Sequence, residues 1–283
     1  MKRRLTVSGV ARVLLALTIG AGIASGSVAA QAPAALPQPQ APPTPPAAAD
    51  KKPAAKKPTA LPPLEKILAR YREEIGGTVA IRKHKSRRFT GKFELPAQGI
   101  GGPVEVLAAA PDRMILRVTL GALGTLERGF DGTTGWSVDP AVGPRLLSGP
   151  ELDELKHSAD YYFELQDPVN YSSMTLLERT NFEGKDSYAV KLVRKSGFEL
   201  TEYFDVTSGL LNGFQLTTTS MMGKVPGTAV LDGYKTFDGL LVPMVTRQKA
   251  MGIESVITFQ NVEFDTVPEN AFAVPPQIAT LAK

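Results

Sequence analysis

The feature that most constrains this chain is a series of acidic-residue–glycine corners set between short runs of alternating apolar and polar residues. Asp131-Gly132 lies inside Arg128-Gly-Phe-Asp-Gly-Thr-Thr-Gly-Trp136, which holds the only tryptophan. Glu183-Gly184 lies between Phe182 and Tyr188, Asp232-Gly233 precedes Tyr234, and Asp238-Gly239 follows Phe237. Such pairs accept the positive φ angles of a two-residue hairpin, whose twist matches the strands it joins. The chain from about Ser86 to Asp265 therefore reads as antiparallel hairpins in series.

The runs between the corners have the two-residue period of half-buried strands, as in Phe89-Thr-Gly-Lys-Phe-Glu-Leu95. Strands are expected at 89–95, 104–109, 114–120, on both sides of the Trp136 corner, and in seven further runs between 172 and 264. Two helices are expected. Leu64, Ile67, Leu68, Tyr71 and Ile75 share one face between Pro63 and Gly76-Gly77. A second runs from about Gly149 to Leu165, with Pro150 in its first turn and Leu152, Leu155, Ala159 and then Tyr162 or Phe163 along one side. No strand–helix–strand alternation accompanies them. The expected fold is mainly β with helices: an incomplete antiparallel β-barrel or strongly curved single sheet of about 11 strands, with helices packed on the concave face as a lid.

The amino terminus reads as an address. Lys2, Arg3 and Arg4 precede an apolar run from Val13 to Ile23, and Val28-Ala-Ala30 supplies a cleavage pattern before Gln31. That run is short for a membrane span, which needs about 20 apolar residues. Residues 1–30 are thus expected to be a secretory signal peptide, residues 31–63 (rich in Pro, Ala and Lys) a disordered linker, and residues 64–283 the folded domain. The net charge of +4 disappears with Lys2, Arg3, Arg4 and Arg12, so no nucleic-acid footprint is expected. Cysteine is absent, which excludes disulfides and a lipid-modified terminal cysteine and points to a periplasmic protein stabilised by its core.

Motifs of catalysis are lacking. His84 and His157 are the two histidines, and neither accompanies a nucleophile motif. His157 is expected on a helix surface, and His84 in a solvated cluster with Arg82, Lys83, Lys85, Arg87 and Arg88. Glu151, Asp153 and Glu154 read as an exposed acidic helix face, and Gly99-Ile-Gly-Gly102 as a corner and not a phosphate loop. No cofactor and no metal site are expected, and the chain reads as a non-enzyme. What remains is apolar: Phe93, Met114, Leu116, Trp136, Leu152, Leu155, Tyr162, Phe163, Met221 and Met222 are the candidates for lining a ligand cavity. An acyl chain of sixteen carbons gains roughly 10 kcal/mol gross from burial, and such affinity needs no polar motif.

Four segments carry a resemblance. Pro111-Asp-Arg113, Gly129-Phe-Asp-Gly-Thr-Thr-Gly-Trp136, Glu202-Tyr-Phe-Asp-Val-Thr-Ser-Gly-Leu210 and Tyr234-Lys-Thr-Phe-Asp-Gly-Leu-Leu-Val-Pro243, with the tail Pro268–Pro275, resemble the LolA/LolB-like outer-membrane lipoprotein-sorting superfamily. The resemblance implies an incomplete barrel whose hydrophobic cavity takes lipid acyl chains. Lipid or a lipidated protein would be the partner, with peripheral membrane contact and a monomeric carrier. The long tether and large inserted helix depart from a dedicated carrier. An envelope-tethered β scaffold that binds a protein partner and no ligand stays open as the alternative.

Overall fold

A computed structural model describes residues 60–220 and 223–281. The signal and linker read at 1–30 and 31–63 lie outside the described residues, except for 60–63, as do Met221 and Met222.

The described chain opens with two short helices, α1 (Leu64–Glu74) and α2 (Gly77–Lys83). Six strands follow: β1 (Ser86–Leu95), β2 (Ile100–Ala109), β3 (Arg113–Thr119), β4 (Thr125–Phe130), β5 (Gly135–Asp139) and β6 (Gly143–Leu146). After α3 (Gly149–Ala159) come β7 (Tyr171–Phe182), β8 (Lys185–Arg194), β9 (Glu199–Asp205), β10 (Leu211–Ser220) and β11 (Gly223–Asp232). A small ribbon, β12 (Lys235–Phe237) and β13 (Leu240–Val242), precedes β14 (Val245–Ala250) and β15 (Ile253–Phe264), and α4 (Pro276–Ala279) lies in the tail.

Thirteen strands form one open antiparallel sheet in the order β6-β5-β4-β3-β2-β1-β15-β14-β11-β10-β9-β8-β7. Pairing of β1 with β15 joins the early strands to the late ones. The sheet is strongly curved. On a flat sheet β4 and β10 would lie about 34 Å apart, seven strand spacings. Yet α3, about 16 Å long at eleven residues, packs against both. Only curvature brings them under one short helix.

Each face of the sheet has its own apolar layer. The main layer joins Ile67, Leu68, Tyr71 and Ile75 of α1 and Leu155 and Ala159 of α3 to inward residues such as Phe89, Leu116, Val190, Phe214 and Ile257. The outer layer is smaller: Leu107, Ala109, Ile115 and Trp136, covered by Phe272 and Ile278 of the tail. Phe272 thus anchors the tail, as its place in the sequence suggested.

Several local expectations need correction. The described sheet has more strands than about 11 because β6, with Pro144 inside it, carries no apolar alternation. Pro243 also splits the run 241–251 into β13 and β14. The helix expected at 149–165 stops at Ala159 and is followed by a single tight turn at Phe163–Leu165. Gly76 and Gly77 end α1 as expected, but both take positive φ (118° and 79°), and the chain turns straight into α2. The Asp131 corner is a four-residue loop in which the Asp131 carboxylate accepts the Thr133 and Thr134 N–H groups at 2.8 and 2.6 Å. Glu183-Gly184 and Asp238-Gly239 are true two-residue turns, with both residues at positive φ.

Candidate functional site

The candidate site is the helix-covered face, and α3 is its cover. Seating begins at Gly135 of β5: a Cβ there would lie 2.5 Å from Leu152 and 3.2 Å from Leu155, so glycine lets the helix rest on the strand. The apolar grip is otherwise small. Of the four buried residues on α3, Leu155 and Ala159 are apolar, while Glu154 and His157 are not. Charged pairs do much of the holding. Arg145 of β6 donates to Glu151 through both terminal nitrogens, at 2.7 and 2.9 Å. Just past the helix, Arg194 of β8 donates to Asp160 at 2.6 Å and Arg87 of β1 donates to Glu164 at 2.7 Å. Three strands far apart in the sheet are thereby tied to one segment.

Glu154 faces Arg128 of β4. Burial pushes the Glu154 carboxyl up to about 7, against the pull of Arg128, and Glu151 adds a smaller push. Burial also lowers the Arg128 guanidinium, although Glu154 and Glu151 favour its charge. Burial thus works against the charge of both members of the pair, and each favours the charge of the other.

Two histidine readings are overturned. His157 is buried against Phe198 and Phe163, with ring centroids 4.6 and 6.4 Å away, because α3 is covered on that side by the turn before β9. His84 is buried too. Its Nδ1 lies 2.7 Å from Asp265, its Nε2 lies 3.3 Å from Asp238, and its ring stacks on Phe264. It closes the start of β1 onto the end of β15. The acidic face of α3 is likewise not fully exposed: Glu151 is paired and Glu154 is buried.

Six of the cavity candidates meet in the main layer. Phe93, Met114, Leu116 and Leu155 are buried in it, and Leu152 and Tyr162 are half-buried against it. Phe163 is buried beside His157. Trp136 lies on the other side of the sheet, because its cross-strand partner Gly129 points outward. The indole covers Gly129, where a Cβ would fall 2.1 Å from the ring, and its Nε1 donates to Glu127 at 2.9 Å.

A cleft of about 1060 Å³ opens beside α3. Asp153 and Glu154 of the helix line one side, and Phe198, Leu200, Leu216 and Gly227 line the sheet side. Little in the residue pattern marks it, since its walls mix polar and apolar side chains. Among the described residues no group of three or more His, Asp or Glu side chains could hold a metal ion, and no helix is long and apolar enough to cross a membrane.

No family model matches the sequence, and no curated protein matches it. Solved structures do match in shape. A LolA superfamily protein from Nitrosomonas europaea superposes with a TM-score of 0.50 at 15% identity, covering 74% of this chain and 97% of its own. A DUF1329 family protein from Desulfovibrio piger gives 0.52 at 11% identity, with 75% and 97% covered. The fold is LolA-like.

Proposed function

We propose that this protein is a periplasmic carrier or binding protein for molecules with lipid acyl chains, and not an enzyme. The observation that carries the reading is the way α3 sits. It crosses a curved apolar sheet, yet its own buried side chains are half polar, and ion pairs tie it down, from Arg145 to the helix itself and from Arg194 and Arg87 to the segment just past it. A cover of this kind exposes little apolar surface of its own when it lifts. The sheet beneath keeps its backbone hydrogen bonds and presents an apolar floor that includes Phe93, Met114 and Leu116. The cleft beside Glu154 is where opening would begin.

The LolA-like fold supports the same reading, since the superfamily resemblance implies an acyl-chain cavity closed by helices. Residues 1–30 would direct export, residues 31–63 would tether the domain at 64–283, and the partner would be a lipid or a lipidated protein. The test is native mass spectrometry of the protein purified from a bacterial envelope. A bound lipid mass is expected, and delipidated protein that refuses every acyl probe would sink the reading.

A second reading, a tethered scaffold for an envelope protein, draws on the tight packing of Phe93, Met114 and Leu116, each no more than 3% exposed. It expects a clean apo mass and a protein partner retained on purification.

A further inference from the structure

Beneath the cover, the inner face of the sheet is not apolar throughout. Register places Glu202, Phe214, Ala229, Gln248 and Ser255 in one row across β9, β10, β11, β14 and β15. One row further on, Thr246 pairs with Leu231 and Ile257. Phe214, Ala229, Leu231 and Ile257 belong to the main apolar layer, so these polar side chains share the helix-covered face. Thr246, Gln248 and Ser255 are each fully buried. Glu202 accepts a hydrogen bond from the Gln166 side-chain amide. Gln248 differs: neither its amide oxygen nor its nitrogen has a hydrogen-bond partner, and the hydroxyls of Ser255 and Thr246 have none.

Leaving such groups buried and unsatisfied is costly, about 1–3 kcal/mol for each. Three of them lie close together on adjacent strands, in a floor where Val or Leu would pack, and polar atoms of a ligand would satisfy them. The neighbouring row runs Leu216, Gly227, Ala250 and Ile253, and its Leu216 and Gly227 line the cleft, so the cleft wall lies one row from Gln248.

We propose that Gln248, Ser255 and Thr246 form a polar subsite for the ester carbonyls of an acylated glyceryl group. The chemistry matches in kind. The Gln248 amide and two hydroxyls supply hydrogen-bond donors at the boundary of an apolar floor, and ester carbonyls are acceptors at the head of apolar chains. The inference rests on the carrier reading and adds the part of the ligand that the protein recognises. All three groups are sealed from solvent, so a ligand reaches them only once a segment covering this face has moved.

The experiment compares dipalmitoylglycerol with its dihexadecyl ether counterpart, which has chains of the same length and no carbonyl. Each displaces a fluorescent acyl probe from the full chain. The diester is expected to bind on the order of tenfold more tightly. In Gln248→Met/Ser255→Ala that preference should fall to parity while the diether keeps its affinity. Equal binding of both lipids to the unaltered protein would overturn the subsite and leave the carrier reading standing. Binding of neither would remove the carrier reading and the subsite with it. Because the first comparison uses no variant, it decides the matter even if the double variant fails to fold.

Discussion

Arg87 and Glu164 meet 2.7 Å apart with side chains 6% and 0% exposed, so a full ion pair is buried where the segment after α3 crosses the middle of the sheet. Burial weighs against the Arg87 charge, but Glu164, with Tyr161 and Asp160, holds the guanidinium above its ordinary range. Removing either partner leaves the other charge buried without this counter-charge. Glu164→Ala and Arg87→Ala should each destabilise by about 3–5 kcal/mol. Arg87→Met/Glu164→Leu should cost clearly less than the sum, because neither charge remains. Urea denaturation of the three variants reads the coupling, and simply additive losses would show that the pair is not a unit.

Glu154 gives α3 a pH dependence of known sign. Its carboxyl is raised from 4.5 to about 7, so the folded state keeps the proton longer than the unfolded chain does. The stability it contributes is greatest below the unfolded value, falls as pH rises through 4.5 to about 7, and is flat above. The whole change is at most about 3 kcal/mol. The charges facing it are Arg128 on β4 and Glu151 on its own helix, with Arg145 beyond. Glu154→Gln should match the native protein near pH 5 and exceed its melting temperature near pH 8. A native melting profile with no decline between those values would mean that Arg128 already compensates the charge.

The hairpin architecture was legible because turn chemistry is local: Glu183-Gly184 and Asp238-Gly239 carry their conformations in two residues each. The face that a side chain takes is not local. Trp136 looked like a cavity residue from its size, but cross-strand pairing with Gly129 turns it outward. The run Val245-Thr-Arg-Gln-Lys-Ala250 alternates in burial without alternating in polarity, so the inward place of Gln248 left no trace in the pattern. His157 and Glu154 misled for a related reason. A helix that covers a sheet normally turns apolar residues inward, and this one turns polar residues inward as well.

The outer layer offers a stability test independent of ligand. Gly129→Ala would place a Cβ 2.1 Å from the Trp136 ring, which must then leave its place over the strand and give up the 2.9 Å contact with Glu127. A loss of about 1–3 kcal/mol is expected, with a shift in tryptophan emission as the indole moves. Unchanged emission and stability would mean that the strand absorbs the methyl group.

Truncations on the two faces should separate stability from binding. Phe272→Ala empties the outer layer, where the ring covers Trp136 and Ile115, and should cost about 3–5 kcal/mol. It touches nothing under α3, so the off-rate of an acyl probe should stay as it is. Leu155→Ala removes one of the two buried apolar side chains on α3, close against Gly135, and should cost about 2–5 kcal/mol. That loss falls on the helix that must lift, so the probe should both enter and leave faster, severalfold, in stopped-flow mixing. If Phe272→Ala speeds exchange as much as Leu155→Ala does, release follows general loosening of the domain and α3 is not the cover. If only Leu155→Ala speeds it, the ligand passes beneath the helix.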